Sequence, residues 1–232
     1  MRSGEGKRLV WDLPLRLFHW GIVACFAGAW TTAELGVEWF AWHKRFGYAL
    51  IVLVAFRIAW GFVGPEHARF ASFVRGPGAV AAYLRALASR EPAPTVGHSP
   101  LGALAVLAML ALLAVQGITG LFANDAIFNN GPLYGYVTSE MSDRLTDVHH
   151  GNFEFLLALI GLHLAAIAVY AVWKRVDLVR PMITGRKPEA GLPPGAGLPG
   201  QRIGLAVVLV ALASGALWWV IETAPAASMS FF

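Results

Sequence analysis

The chain has 232 residues, 57% of them hydrophobic and only 14% charged, with a mean hydropathy of +0.59. Soluble domains carry about 25% charged residues, so this composition excludes an ordinary water-soluble enzyme and points to an integral membrane protein. The net charge of +4 needs no nucleic acid to explain it, because the basic residues gather beside the apolar segments, where anionic lipid lies.

Five apolar stretches approach the ~20 residues a helix needs to cross a bilayer. They run over 14–33, 44–63, 101–123, 150–173 and 203–222. The first follows a short basic segment, is long and lacks a small-residue cleavage site, so it is expected to stay as an anchor. It contains Cys25, the one cysteine of the chain, which reads as a small packing residue. A single cysteine excludes an internal disulfide, and the absence of C-x-x-C-H excludes covalent haem attachment.

The first two spans are expected to form a hairpin across 34–43, where Trp39, Phe40 and Trp42 suit a membrane interface. The next connection, 64–100, contains FASFVRGPGAVAAYLRAL, with an amphipathic helix expected over 77–89 and Pro77 near its start. After the third span comes loop 124–148, turn-rich in NNGPLYGY and then helical in EMSDRLTDVHH, with Ser142 or Asp143 as its expected cap. Residues 188–202 are Pro/Gly-rich and expected to be a structureless linker. The fifth span, 203–222, carries no histidine and is expected to serve packing or partner contact; 223–232 form a tail.

An N-terminus inside the cell places 1–13, 64–100 and 174–202 in the cytoplasm. Of the eighteen Lys and Arg, only Lys44, Arg45 and Arg144 then fall outside, which fits the positive-inside rule. The C-terminus is expected in the periplasm.

Histidines carry the chemistry. His149 and His163 stand fourteen residues apart in the fourth span. That interval is four helical turns less about 40°, or about 21 Å along the axis, so both rings leave nearly the same face. A histidine in a lipid-buried bundle is expensive unless it pairs or binds something. His19 lies on the inner half of the first span at a depth similar to His163. His43 starts the second span on the outer side, as His149 starts the fourth. Two depth-matched pairs result, His19 with His163 and His43 with His149. Bis-histidine ligation of haem iron uses such pairs. Zinc and di-iron sites fit less well, because they want three or four converging ligands, often carboxylates, and carboxylates are missing from the interiors of the spans. His150 is rotated away from His163 and is expected to face elsewhere. His67 and His98, in the 64–100 connection, read as solvent or headgroup residues. Arg16, one turn before His19, and Arg57, fourteen residues after His43, are candidates to pair with haem propionates at the inner site. For Arg16, snorkelling to headgroups is an equal reading. Lys44 and Arg45 are the corresponding candidates at the outer site.

Several segments in order resemble one family. VWDLPLRLFHW is similar to the first-helix signature of the bacterial cytochrome b561 family, which includes the b-type cytochrome subunits of nickel–iron hydrogenases. WHKRFGYALIVLVAFRIAWGFVGPEHARF resembles its second-helix stretch. FASFVRGPGAVAAYLRAL, GHSPLGALAVLAML, QGITGLF and LVRPMITGRK resemble further segments. The resemblance covers roughly residues 9–187 and leaves the fifth span outside. It implies an all-α membrane protein, a four-helix di-haem bundle over 1–187, here with a fifth transmembrane helix added. It also implies two non-covalent b haems, with His19, His43, His149 and His163 as their ligands. One departure is His150, where many relatives carry glutamate.

The function expected is transmembrane electron transfer in a bacterial plasma membrane, between membrane quinone and a periplasmic partner. That partner is a c-type cytochrome or an iron–sulfur, hydrogenase-like subunit. An electron-carrying subunit is favoured over a self-contained enzyme; the alternative is a stand-alone quinone reductase of the superoxide:quinone type. A homodimer is a candidate assembly.

Overall fold

Hydropathy and length shape the chain before any tertiary contact does. In the computed structural model, which describes residues 6–87, 96–127, 129–189 and 192–225, five helices are long and apolar enough to cross a membrane. They are α1 (Leu13–Glu34), α2 (Phe40–Val63), α5 (Pro100–Phe122), α6 (Ser139–Val172) and α8 (Ile203–Glu222). Shorter helices lie between them: α3 (Phe70–Phe73), α4 (Pro77–Leu87) and α7 (Val179–Thr184). Two strands, β1 (Lys7–Leu9) and β2 (Arg186–Pro188), pair antiparallel. The long helices expose many large apolar side chains, among them Phe62, Phe155, Leu162, Leu212 and Trp218, as a helix facing hydrocarbon does.

Two helix starts differ from those expected by more than one residue. The turn after α1 is short, because Gly36 takes φ +94° and leads into a single 3-10 turn over Val37–Trp39. α2 therefore begins at Phe40, and His43 sits inside its first turn. EMSDRLTDVHH is not a separate helix but the first turns of α6. Its cap is Thr138, whose Oγ1 accepts from Met141 N at 3.2 Å, rather than Ser142 or Asp143. Ser142 is inside the helix and fully buried. The amphipathic helix begins at Pro77 as expected and runs to Leu87; its last expected residues lie outside the described ones.

Contacts divide the chain into two compact units. The first comprises Met1–His19, Arg57–Ala108 and Leu159–Ala206. Here β1 pairs with β2 in the register Lys7–Pro188, Arg8–Lys187 and Leu9–Arg186. The carbonyl of Gly185 accepts from Val10 N at 2.8 Å and Trp11 N at 3.1 Å. Gly185 ends α7 with φ +80°, and a Cβ there would lie 2.7 Å from the Trp11 carbonyl, so the position requires glycine. Asp12 caps α1, its Oδ1 accepting from Leu15 N at 2.9 Å and from Trp60 Nε1 at 3.2 Å. A Cβ on Gly61 would lie 2.0 Å from the Phe70 ring, so that glycine lets α3 settle against α2. The described residues of the Pro/Gly-rich segment form no helix, yet they are tied down. Leu198 N donates to Leu9 O at 2.8 Å, Leu13 N to Gln201 Oε1 at 2.9 Å, and Arg202 Nη1 to Val63 O at 2.7 Å. Tyr83 of α4 and Tyr170 of α6 share a hydrogen bond.

The second unit comprises Trp20–Phe56, Met109–Ala158 and Val207–Phe232. Its core is Val54, Leu113 and Leu156, packed by Ile22, Phe26, Leu112 and Ala114. Small residues set the helix spacing. A Cβ on Gly28 would meet the Phe46 ring at 2.7 Å, and one on Gly117 would meet Ile51 Cγ1 at 2.6 Å. The loop after α5 folds back on that helix, with Gly131 N donating to Ala123 O at 2.7 Å and Leu133 N to Leu121 O at 2.8 Å. Ser142 Oγ donates to Phe122 O at 2.6 Å and accepts from Asn124 Nδ2 at 2.7 Å, which fastens the start of α6 to the end of α5.

Candidate haem-ligating sites

In the second unit His43 and His149 come together. Their ring centroids are 6.2 Å apart and the rings are nearly perpendicular, at 77°. Each ring is aimed by its Nδ1. His43 Nδ1 donates to Ala29 O at 2.8 Å, and His149 Nδ1 donates to Gln116 O at 3.0 Å. A carbonyl oxygen only accepts, so both contacts put the ring hydrogen on Nδ1 and leave Nε2 as a bare lone pair. Hydroxyls share both carbonyls: Thr32 Oγ1 donates to Ala29 O at 3.1 Å and Thr119 Oγ1 to Gln116 O at 3.3 Å. Asn152, buried one turn along from His149, donates to Gln116 Oε1 at 2.6 Å and to Leu112 O at 3.0 Å. Thr119 Oγ1 donates to Val115 O at 2.7 Å and lies 3.4 Å from His149 Nδ1. Gly120 makes room for the ring: a Cβ there would stand 2.9 Å from His149 Cε1.

His150 is solvent- or lipid-exposed, with its ring 6.1 Å from that of His149; it faces away as the helical rotation requires. Lys44 and Arg45 spend their charge on aromatic faces, 5.5 Å from Phe40 and 4.7 Å from Trp42.

The first unit contains His19 on α1 and His163 on α6, both half-buried and near enough to couple electrostatically. Arg57 is 1% exposed. Its guanidinium carbon lies 5.0 Å from the Phe70 ring and 5.9 Å from that of Phe73. Neither Nη1 nor Nη2 has a hydrogen-bond partner among the described residues. Arg16 is divided: Nη1 donates to Ile183 O at 2.5 Å, while Nε is buried without a partner among the described residues. Asp12, also 1% exposed, lies close enough to Arg57 to feel its charge. Burial lifts the Asp12 carboxyl above its ordinary range, and the Leu15 N–H, the Trp60 indole and Arg57 pull against that.

Sequence reasoning misplaced two histidines. His67 and His98 read as solvent or headgroup residues, but His67 Nε2 donates to Ala196 O at 2.9 Å. His98 is packed 4.8 Å from Trp11 and 4.4 Å from Phe73, centroid to centroid. Its Nδ1 is buried without a partner among the described residues. Burial, with the charges of Arg57 and Lys187 nearby, pushes its pKa down to about 3, so the ring is neutral. No helical period points to His98, which precedes α5. The one available signal was its place directly before Ser99-Pro100, where the next helix starts and the chain is held close to the bundle.

The chain resembles known proteins over most of its length. A protein of Azotobacter chroococcum mcd 1 named "Probable Ni/Fe-hydrogenase B-type cytochrome subunit" is 27% identical over 227 residues, covering 80% of this chain and 93% of that protein. No solved structure matches the chain significantly. The profile described as prokaryotic cytochrome b561 matches residues 10–185, from the Asp12 cap of α1 to the Gly185 end of α7. This multi-pass helical membrane protein belongs to the prokaryotic cytochrome b561 family, whose members are b-type cytochromes of electron transport.

Proposed function

We propose that the chain moves electrons across a bacterial plasma membrane by holding two non-covalent b haems, one between His43 and His149 and one between His19 and His163. The observation that carries this is the His43–His149 pair. Metal–imidazole bonds of about 2 Å put the centroids of two rings gripping one atom from opposite sides roughly 6 Å apart. The pair stands at 6.2 Å, each Nδ1 is occupied by a main-chain carbonyl, and each Nε2 is available. That is the arrangement in which an outer hydrogen bond fixes the tautomer and raises the basicity of a ligand. Arg57, whose two buried Nη atoms have no partner among the described residues, suits a propionate of the other haem, and Arg16 Nε stands one turn before His19.

Bound haem b supplies a one-electron carrier. The residues around it set orientation, exclude water and tune its potential. In this reading residues 1–187 are a four-helix haem-binding domain, 188–202 a linker, 203–222 an added transmembrane helix and 223–232 a tail; the family match, which ends at residue 185, supports the division. The basic excess of 1–13, 64–100 and 174–202 puts the N-terminus in the cytoplasm and the C-terminus in the periplasm. Pairing of β1 with β2 agrees that two of these segments share a side. Electrons pass between membrane quinone and a periplasmic partner. The hydrogenase cytochrome relative favours a hydrogenase-like partner, met through loop 124–148 and α8, whose Val207, Leu212, Trp218 and Trp219 are exposed.

The test is haem quantified per purified chain with a reduced-minus-oxidised spectrum. Two haems are expected, and His163→Ala should lose one and keep the other spectrally intact. A preparation with no iron-porphyrin, or a His163→Ala chain that keeps both, overturns the reading.

A further inference from the structure

The first unit also contains a polar cluster that ligation does not use. Phe73 is its centre. The His98 ring packs on it at 4.4 Å, and the Arg57 guanidinium lies 5.9 Å from the same ring. Trp11 closes the far side of His98, edge-on at 4.8 Å. Three nitrogens in this cluster, Arg57 Nη1 and Nη2 and His98 Nδ1, are buried and have no hydrogen-bond partner among the described residues. Native folds rarely leave buried donors unmade, because each then keeps the full cost of losing water. Arg57 is 1% exposed, so solvent does not relieve it.

The surrounding charge favours an anion. Lys187, whose ammonium donates to Val96 O at 2.9 Å, adds positive potential at His98. Asp12 faces Arg57 across the cluster, but its Oδ2 is itself buried without a partner among the described residues. A planar guanidinium and an imidazole packed on the same aromatic ring suit a carboxylate, which can accept from both.

We infer that His98 Nδ1–H and the Arg57 Nη groups together hold a carboxylate of the porphyrin gripped by His19 and His163, which makes His98 a cofactor-binding residue that ligates no metal. This rests on the two-haem reading. A propionate is the one anion the proposed cofactor itself brings into the first unit, and it would satisfy all three open donors.

Two variants of the full chain test it. His98→Phe keeps a ring between Trp11 and Phe73 but has no donor. His98→Asn returns an N–H near the position of Nδ1. Each is purified, its haem counted, its thermal unfolding recorded and both midpoint potentials titrated. A carboxylate stripped of a donor favours the oxidised iron. In His98→Phe one potential should therefore fall by roughly tenfold in the reduction equilibrium, about 59 mV for one electron. The other potential should not move. The falling one should be the potential that persists in His149→Ala, and His98→Asn should restore most of it. Selective loss of that haem from His98→Phe, with retention in His98→Asn, supports the same assignment. Unchanged potentials in His98→Phe, or equal shifts in Phe and Asn, overturn the clamp. A wild-type chain with fewer than two haems overturns the two-haem reading beneath it.

Discussion

Replacing Gly120 with alanine tests the aim of His149 without touching a ligand. The new Cβ would stand 2.9 Å from His149 Cε1, and ordinary van der Waals contact begins roughly half an ångström farther out. The ring must retreat by about that much. Its Nδ1–H donates to Gln116 O at 3.0 Å, so a retreat of this size carries the bond toward about 3.5 Å, beyond useful hydrogen-bond geometry. Losing such a bond costs about 1 kcal/mol. Disturbing the outer hydrogen bond of a metal-bound histidine typically weakens the metal site by about 10- to 100-fold. The assay is haem retained per chain after dilution into detergent, read with the reduced-minus-oxidised spectrum. Gly120→Ala should lose one haem faster than wild type and leave the other. Gly151→Ala is the control: no atom lies within 4 Å of its added Cβ, and helix propensity alone should make it neutral or slightly stabilising. Equal retention of both haems by Gly120→Ala and wild type would refute the argument.

Two further outcomes follow from buried polar groups. Asn152→Leu removes the bonds to Gln116 Oε1 and Leu112 O from a buried position, so thermal unfolding should show a loss of about 1–3 kcal/mol; an unchanged melting temperature would contradict the network. His98 titrates near pH 3 in the fold against an ordinary 6.5. The unfolded chain therefore takes up the proton first on acidification. Its contribution is present above pH 6.5 and is lost as pH falls from there toward 3. Unfolding curves of haem-free chain should accordingly lose less stability over that window in His98→Asn than in wild type; parallel curves would contradict this burial.

Much of the helical frame is legible because membrane spans announce themselves by length and hydropathy. Four of the five spans fall within four residues of the observed helices; the fifth, α6, starts early because EMSDRLTDVHH continues it without a break. The His43–His149 pairing was also legible. His43 and His149 each stand directly before an apolar stretch, 44–63 and 150–173, and helices that start on the same side run parallel and carry such positions to equal depth; the two rings lie 6.2 Å apart. What stayed hidden depends on contacts distant in sequence with no period of their own. β1 finds β2 through main-chain bonds anchored at Gly185. Ser142 reads as a cap by residue type, but its neighbour in space is the end of α5, where Phe122 O takes its hydroxyl. His98 reads as a loop residue until Trp11 and Phe73 close over it.

The two units differ in how far the polypeptide satisfies its own polar groups, and stability should follow. In the second unit the buried donors find chain partners: His43 on Ala29, His149 on Gln116, Asn152 on Gln116 and Leu112. In the first, Arg57 Nη1 and Nη2, Arg16 Nε, His98 Nδ1 and Asp12 Oδ2 are buried with none among the described residues. A ligand that binds only the folded state adds stability in proportion to how tightly it is held. One that also answers stranded donors removes their desolvation cost. Removing haem should therefore loosen the first unit more than the second. Amide exchange on holo and haem-free chain reads this segment by segment. Protection should fall most at 57–74 and 96–108 and least at 109–122. Exchange that rises equally in both units, or more in 109–122, would mean that the open nitrogens of Arg57 and His98 are answered by something other than the cofactor.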